Sequence, residues 1–185
     1  YDGLSWGKVV VSGIQPSKRS SPAMVFDEQR GKTILFGGEG ETTQGAETWE
    51  YDGSQQKWQQ ITYGEGTAHP TEALNFSMAY DAHRGTTVMF DGFGTWEYDG
   101  DWQLKNPNNA PLGSVQHSMV FDSGRGVMVL LAQEDTWEYD GDDWRNIAVS
   151  DPEGDGNPPA ENPDFPYGLF YDTTRAASVL FGFDG

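Results

Sequence analysis

The amino-acid sequence predicts an all-β fold assembled from one four-stranded unit used about four times. Two observations carry this. The string Thr-Trp-Glu-Tyr-Asp-Gly occurs three times, at 48–53, 95–100 and 136–141. A second block, an apolar run followed by Asp-x-x-Arg, occurs four times, with its arginines at Arg30, Arg84, Arg125 and Arg175. No stretch shows helical periodicity, and a leucine-rich or helical solenoid would need a Leu or Ala spacing that is absent.

Each unit reads as four short strands. The first is the Met24-Val-Phe run and its counterparts Met78-Ala-Tyr, Met119-Val-Phe and Leu169-Phe-Tyr. A tight hairpin follows, in which the Asp side chain can bond nearby backbone amides and a Gly after the Arg can take positive φ. The second strand is the apolar run at 33–36, 87–90, 127–131 and 178–181, expected to be buried on both faces. The third is Thr-Trp-Glu-Tyr, with side chains alternating between faces. Asp-Gly turns the chain again, and a fourth strand carries Trp58, Trp102 or Trp144. Four strands in about 40–50 residues, marked by Gly and aromatic signatures, is the pattern of a β-propeller blade. The expectation is a single domain over 1–185. Its blades lie at about 21–60, 74–104, 115–148, and 165–185 combined with 1–12.

These blocks resemble the kelch family, including the kelch-like blades of galactose oxidase. The resemblance rests on Tyr/Phe-Asp-x-x-Arg, on Leu35-Phe-Gly-Gly38, and on Thr-Trp-Glu-Tyr-Asp-Gly followed by Trp. The double glycine stands only at Gly37-Gly38; the other copies have Asp91-Gly92, Ala132-Gln133 and Gly182-Phe183. The resemblance implies a propeller, and kelch domains often have six or seven blades where this chain supplies about four.

Composition narrows the chemistry. With no cysteine there is no disulfide, thiolate metal site or thiol nucleophile, and the cysteine-linked tyrosine of galactose oxidase has no counterpart. The histidines, His69, His83 and His117, do not stand at metal-ligand spacing. No Ser/His/Asp set or phosphate loop stands out. Glu50, Glu97 and Glu138 recur with the unit, so no catalytic carboxylate pair is indicated. The four Asp/Arg pairs read as turn and inter-blade ties, because equivalent positions do not converge as a carboxylate-reading triad would. A formal charge of −18 repels nucleic acid and anionic lipid. No apolar run approaches the length of a membrane span; the longest, Val127–Ala132, suits a strand.

Because repeated residues serve the architecture first, function is sought in what does not repeat. All seven Trp fall at repeat positions and are assigned to packing. The unrepeated aromatics Tyr63, Phe93, Phe165 and Tyr167 are the better contact candidates. The acidic stretch at 151–162 places Asp151, Glu153, Asp155 and Asn157 at alternate positions with Gly156 between the last two. Alternating oxygen ligands around a Gly-permitted turn suit calcium, the one cofactor the sequence suggests. Against it stand Pro152, and Asn162 where a bidentate Glu belongs; a solvated acidic connector is the plain alternative. Asn75-Phe-Ser77 fits a glycosylation sequon, a three-residue match that arises readily by chance.

The last copy covers two strands and runs out at Phe181-Gly-Phe-Asp-Gly185, while the chain opens on Tyr1-Asp2-Gly3 and Trp6, the tail of another copy. The expectation is that 6–11 completes the blade built on 169–181, in its own chain or in a neighbour. The assembly residues are then Trp6, Val9, Val10, Val11, Leu169, Phe170 and Phe181. The functional expectation is a non-enzymatic extracellular or secreted interaction module whose partner is protein, including further copies of itself, with a filament as one outcome. A glycan-binding or glycan-processing domain and an intracellular kelch-type adaptor are the alternatives. No nucleic-acid or membrane-inserted role is expected.

Overall fold

A computed structural model describes residues 3–40, 46–71, 76–111, 113, 117–132, 135–150 and 168–181. The described residues are all-β, with no helix. Three sheets are four-stranded antiparallel meanders. The first runs β2 (Ala23–Asp27), β3 (Lys32–Phe36), β5 (Thr48–Asp52) and β6 (Lys57–Ile61). The second runs β7 (Ser77–Asp81), β8 (Thr86–Phe90), β9 (Thr95–Tyr98) and β10 (Trp102–Lys105). The third runs β11 (His117–Asp122), β12 (Val127–Ala132), β13 (Asp135–Tyr139) and β14 (Trp144–Ile147). A fourth unit is the hairpin β15 (Gly168–Asp172) and β16 (Ala177–Phe181). A small pair not foreseen from the sequence, β1 (Arg19–Ser20) with β4 (Glu39–Gly40), flanks the first sheet.

The first hairpin of each unit forms as the motif requires. Asp27, Asp81 and Asp122 each accept the backbone N–H of the Arg three residues on, at 2.9, 3.0 and 3.0 Å. The Gly after that Arg has φ of 65°, 69° and 71° at Gly31, Gly85 and Gly126, a region that costs a Cβ-bearing residue energy. The fourth unit has Ala176 there, at φ 52°.

Register gives every sheet two distinct faces, since paired residues share a side and neighbours alternate. In the first sheet Val25, Ile34 and Glu50 are cross-strand partners, as are Ala23, Phe36 and Thr48. These make the leading face, which meets the next unit. Met24, Leu35 and Trp49, with Phe26, Thr33, Tyr51 and Trp58, make the trailing face. The core lies between sheets. Ile34 and Phe36 of the first leading face pack with Met89, Trp96, Tyr98 and Trp102 of the second trailing face. Ala79, Val88 and Phe90 pack likewise with Met119, Phe121, Met128, Leu130, Tyr139 and Trp144. The first strands follow one another, β2 packing on β7, β7 on β11 and β11 on β15.

Among the described residues no sheet closes on itself, and β15 does not return to pack on β2. Residues 6–11, expected to complete the fourth unit, carry no strand, and β15–β16 stands as a two-stranded sheet among the described residues. Trp6, Val9 and Val10 are exposed and Val11 is half-buried.

Candidate functional site

The chemistry-bearing side chains of the repeat converge on the joints between units. Arg30 donates through Nε to Asp27 at 2.7 Å and through both Nη atoms to Glu50 at 2.7 Å. The same Glu50 oxygen accepts the Tyr98 hydroxyl of the next unit at 2.8 Å. The Arg30 guanidinium lies over the Tyr98 ring, 5.1 Å from its centre. Trp102 Nε1 donates to Thr48 Oγ1 at 2.9 Å, and Phe36 meets the Trp102 ring edge-on at 5.5 Å.

The second joint repeats the first in its residues, with two differences: Arg84 reaches Glu97 through one Nη, and the Tyr139 hydroxyl also donates to the Gly141 carbonyl at 2.7 Å. Arg84 pairs with Asp81 at 2.7 Å and with Glu97, which accepts the Tyr139 hydroxyl at 3.1 Å. Arg84 lies over Tyr139 at 5.5 Å, Trp144 Nε1 donates to Thr95 Oγ1 at 2.8 Å, and Phe90 meets Trp144 at 5.9 Å. A Cβ on Gly141 would come within 2.9 Å of the Arg84 guanidinium, so glycine is what lets the arginine lie there. At the third joint Arg125 pairs with Asp122 and Glu138, and the Gly124 N–H donates to Tyr171 Oη at 3.2 Å.

The electrostatics follow from this wiring. Burial by itself would lower the Arg30 pKa, but the hydrogen bonds it donates to Asp27 and Glu50 more than offset it and hold the guanidinium above its ordinary value. Arg84 is raised in the same way, by Glu97 and Asp81. Asp122 is held below the usual carboxylate range: burial opposes this, and the Arg125 hydrogen bonds outweigh it. Burial, reinforced by Glu50 and Glu97 respectively, pushes the Tyr98 and Tyr139 phenols well above 10. These carboxylates, cations and phenols are therefore engaged with one another in the joints. A catalytic pair would need one of them poised toward an open cavity. A polar cleft beside the second joint, about 320 Å³, is lined by Gln29, Arg30, Arg84, Gly85, Thr86, Glu97, Asp99 and Gln103, and a smaller one of about 170 Å³ beside Glu50 is lined by Lys32, Asp52, Lys57 and Trp58. No aromatic ring lines the larger cleft, and both its arginines are already paired.

The sequence-based candidates fall into three groups. Asp151, Glu153, Asp155 and Asn157 lie outside the described residues, as do Asn75, Phe165 and Tyr167. Among the described residues, no group of three or more His, Asp or Glu is arranged to hold a metal. Tyr63 stacks on His69 at 4.4 Å beside the first joint, and Phe93 projects from a loop, exposed. Leu169 sits on the trailing face of β15, toward the third unit, whereas Phe170 and Phe181 sit on the leading face with Val179.

Two sets of residues were not singled out in the sequence. Glu50 and Glu97 each bridge an Arg of one unit to a Tyr of the next. Their recurrence three places before Gly was visible, and their partner in another unit was not. Arg19, by contrast, belongs to no repeat. Its side chain is 4% exposed, bonds Glu47 at 2.7 Å and the Gly37 carbonyl at 3.0 Å, and Glu47 also accepts Trp49 Nε1 at 2.9 Å. The signal was the residue before each Thr-Trp, which varies from Glu47 to Gly94 to Asp135.

Two faces stay uncovered. Met24 and Phe26 on the trailing face of the first unit are each 54% exposed, and Phe170 and Phe181 on the leading face of the fourth are 51% and 74% exposed. Tyr51 and Trp58 keep the ring pairing of the buried copies, 5.1 Å against 4.9 Å for Tyr98/Trp102 and 5.0 Å for Tyr139/Trp144. Among the described residues neither the Tyr51 hydroxyl nor the Trp58 N–H has the carboxylate or threonine partner that its counterparts have. Set against models of known protein families and against curated proteins, the chain matches none.

Proposed function

We propose that the chain is an arc of a kelch-like β-propeller and works as a non-enzymatic interaction and structural module. The observation that carries this is the division of labour between repeated and exposed residues. The repeated Asp, Arg, Glu and Tyr side chains, which have the chemistry for catalysis, hold the units together. Large apolar side chains stay at the surface on both end faces of the arc, Met24 and Phe26 at one and Phe170 and Phe181 at the other, and along the N-terminal stretch at Leu4, Trp6, Val9, Val10 and Ile14. Exposed apolar surface in an otherwise acidic, polar chain is a mark of contact with another protein. The glycan reading gains no support from the larger polar cleft, which has no aromatic wall for a sugar face; the smaller cleft, with Trp58 beside Glu50 and Asp52, is the place where a sugar would be sought.

Carbene footprinting tests the proposal. In material taken from its native source, Met24, Phe26, Phe170 and Phe181 are expected to label less than in the isolated chain. Equal labelling in both would remove the reason for calling the chain an interaction module.

A further inference from the structure

We infer that the two end faces are made for each other, so that the leading face of β15–β16 seats the trailing face of the first unit of a second copy. This rests on the interaction reading above and names its partner. The argument is the joint itself. At the first joint Met78 packs against the cluster of Ile34 and Phe36; at the second, Met119 packs with Ala79, Val88 and Phe90. Register puts Phe170, Val179 and Phe181 in the places of Ala79, Val88 and Phe90. It likewise puts Met24 in the place of Met78 and Met119. Phe36 and Phe90 each meet the Trp of the following unit edge-on, at 5.5 and 5.9 Å. Trp58 is the Trp that Phe181 would meet.

The geometry selects the occupant. Every joint in the chain is between unlike faces, leading on trailing, and the exposed pair comprises one of each. A face that joins its own kind would need a two-fold contact that no joint here displays. Among the described residues the two ends of one arc do not meet, and a second copy of the chain carries the complement of each end face. Contacts between unlike faces either close into a ring or run on as a thread. Either product satisfies the inference.

The chain's lack of cysteine makes the test clean. Met24→Cys and Phe181→Cys are made in separate chains; both sites are exposed, so each variant keeps the parent's unfolding midpoint. A short bis-maleimide is expected to join the two variants when mixed, and to join neither variant to itself. In sedimentation the parent chain is expected to associate with rising concentration. Phe26→Ser with Phe181→Ser weakens that association about tenfold or more, the factor that about 1.4 kcal/mol carries. A parent chain that stays monomeric overturns the inference. So does cross-linking of Met24→Cys to itself, or association untouched by the double variant. If native material is footprint-protected at these residues while the chain is monomeric, the interaction reading stands and the second-copy partner fails. If protection and association are both absent, the two fail together.

Discussion

Phe90 and Phe181 occupy the same place in the repeat and have opposite surroundings. Phe90 is wholly buried between the second and third units; Phe181 is 74% exposed. The arginines grade in the same direction, with side-chain exposures of 25, 30, 54 and 77% from Arg30 through Arg84 and Arg125 to Arg175. The local hairpin, by contrast, is alike throughout: Asp172 accepts the Arg175 N–H at 3.1 Å much as Asp27 accepts that of Arg30. The strand pairing and the turn belong to the unit, whereas burial belongs to the joint. A solenoid-like array derives much of its stability from such neighbour terms, and units at its ends are the least supported.

The sharpest way to break this comparison is to truncate the same position twice. Phe90→Ala is expected to cost about 3–5 kcal/mol, the range for emptying a buried phenylalanine site. Phe181→Ala is expected to stay within about 0.5 kcal/mol, as exposed substitutions do. Urea unfolding of dilute, monomeric protein measures both. Equal losses would mean that the last unit is as tightly seated as the second.

The network gives the next largest contrast. Glu97 holds Arg84 of its own unit and approaches the Tyr139 hydroxyl of the following one, and removing it leaves a partly buried guanidinium with Asp81 alone and the hydroxyl with the Gly141 carbonyl alone. Glu97→Ala should cost about 2–4 kcal/mol. Glu138 bonds Arg125, which is more than half exposed, and has no described tyrosine from a following unit. Glu138→Ala should cost about 1 kcal/mol or less. The same chemical unfolding curves decide it, and similar costs would detach the carboxylate from the inter-unit tie.

The threonines sharpen the comparison at lower cost. Thr95→Val leaves the buried Trp144 N–H without its acceptor, which costs about 1–3 kcal/mol. Thr136 stands at the equivalent position on the third unit, where no described indole reaches it, so Thr136→Val should be near neutral. Indole fluorescence during unfolding reads both, and a costly Thr136→Val would reveal a partner for that hydroxyl.

How much of this was legible in the sequence follows from the same distinction. The three complete sheets were readable because Asp27-x-x-Arg30, Thr48-Trp49-Glu50-Tyr51 and their copies encode turns and alternation locally. The inward aromatic positions were readable for the same reason. The joint was not, since Glu50 meets Tyr98 across 48 residues and nothing local marks that pairing. Arg19 escaped notice because a single arginine without a repeat partner resembles any surface cation until its 2.7 Å contact with Glu47 is seen. Where Trp6 and the valines at 9–11 pair, in their own chain or in a neighbour, depends on long-range placement, which periodicity does not specify.

The smallest effect at neutral pH is in the tyrosines, and it grows where the others stay flat. Burial disfavours the Tyr98 and Tyr139 phenolates, and the Glu50 and Glu97 carboxylates beside them add to the penalty. Unfolded tyrosines release their protons at about pH 10, so above that pH the unfolded chain holds fewer protons than the folded one. Their contribution is thus complete below about pH 10 and is lost as pH rises from there toward the folded-state values. Urea midpoints followed from pH 8 to the alkaline limit should fall above about pH 10 in the parent chain. Tyr98→Phe loses its bond to Glu50 at every pH, about 1 kcal/mol, but should flatten that fall because the titrating group is gone. Tyr139→Phe should flatten it likewise, and the double variant more than either. The slope carries the test, since a lost hydrogen bond lowers the curve without tilting it. A double variant as steep as the parent would place the alkaline sensitivity outside the joints.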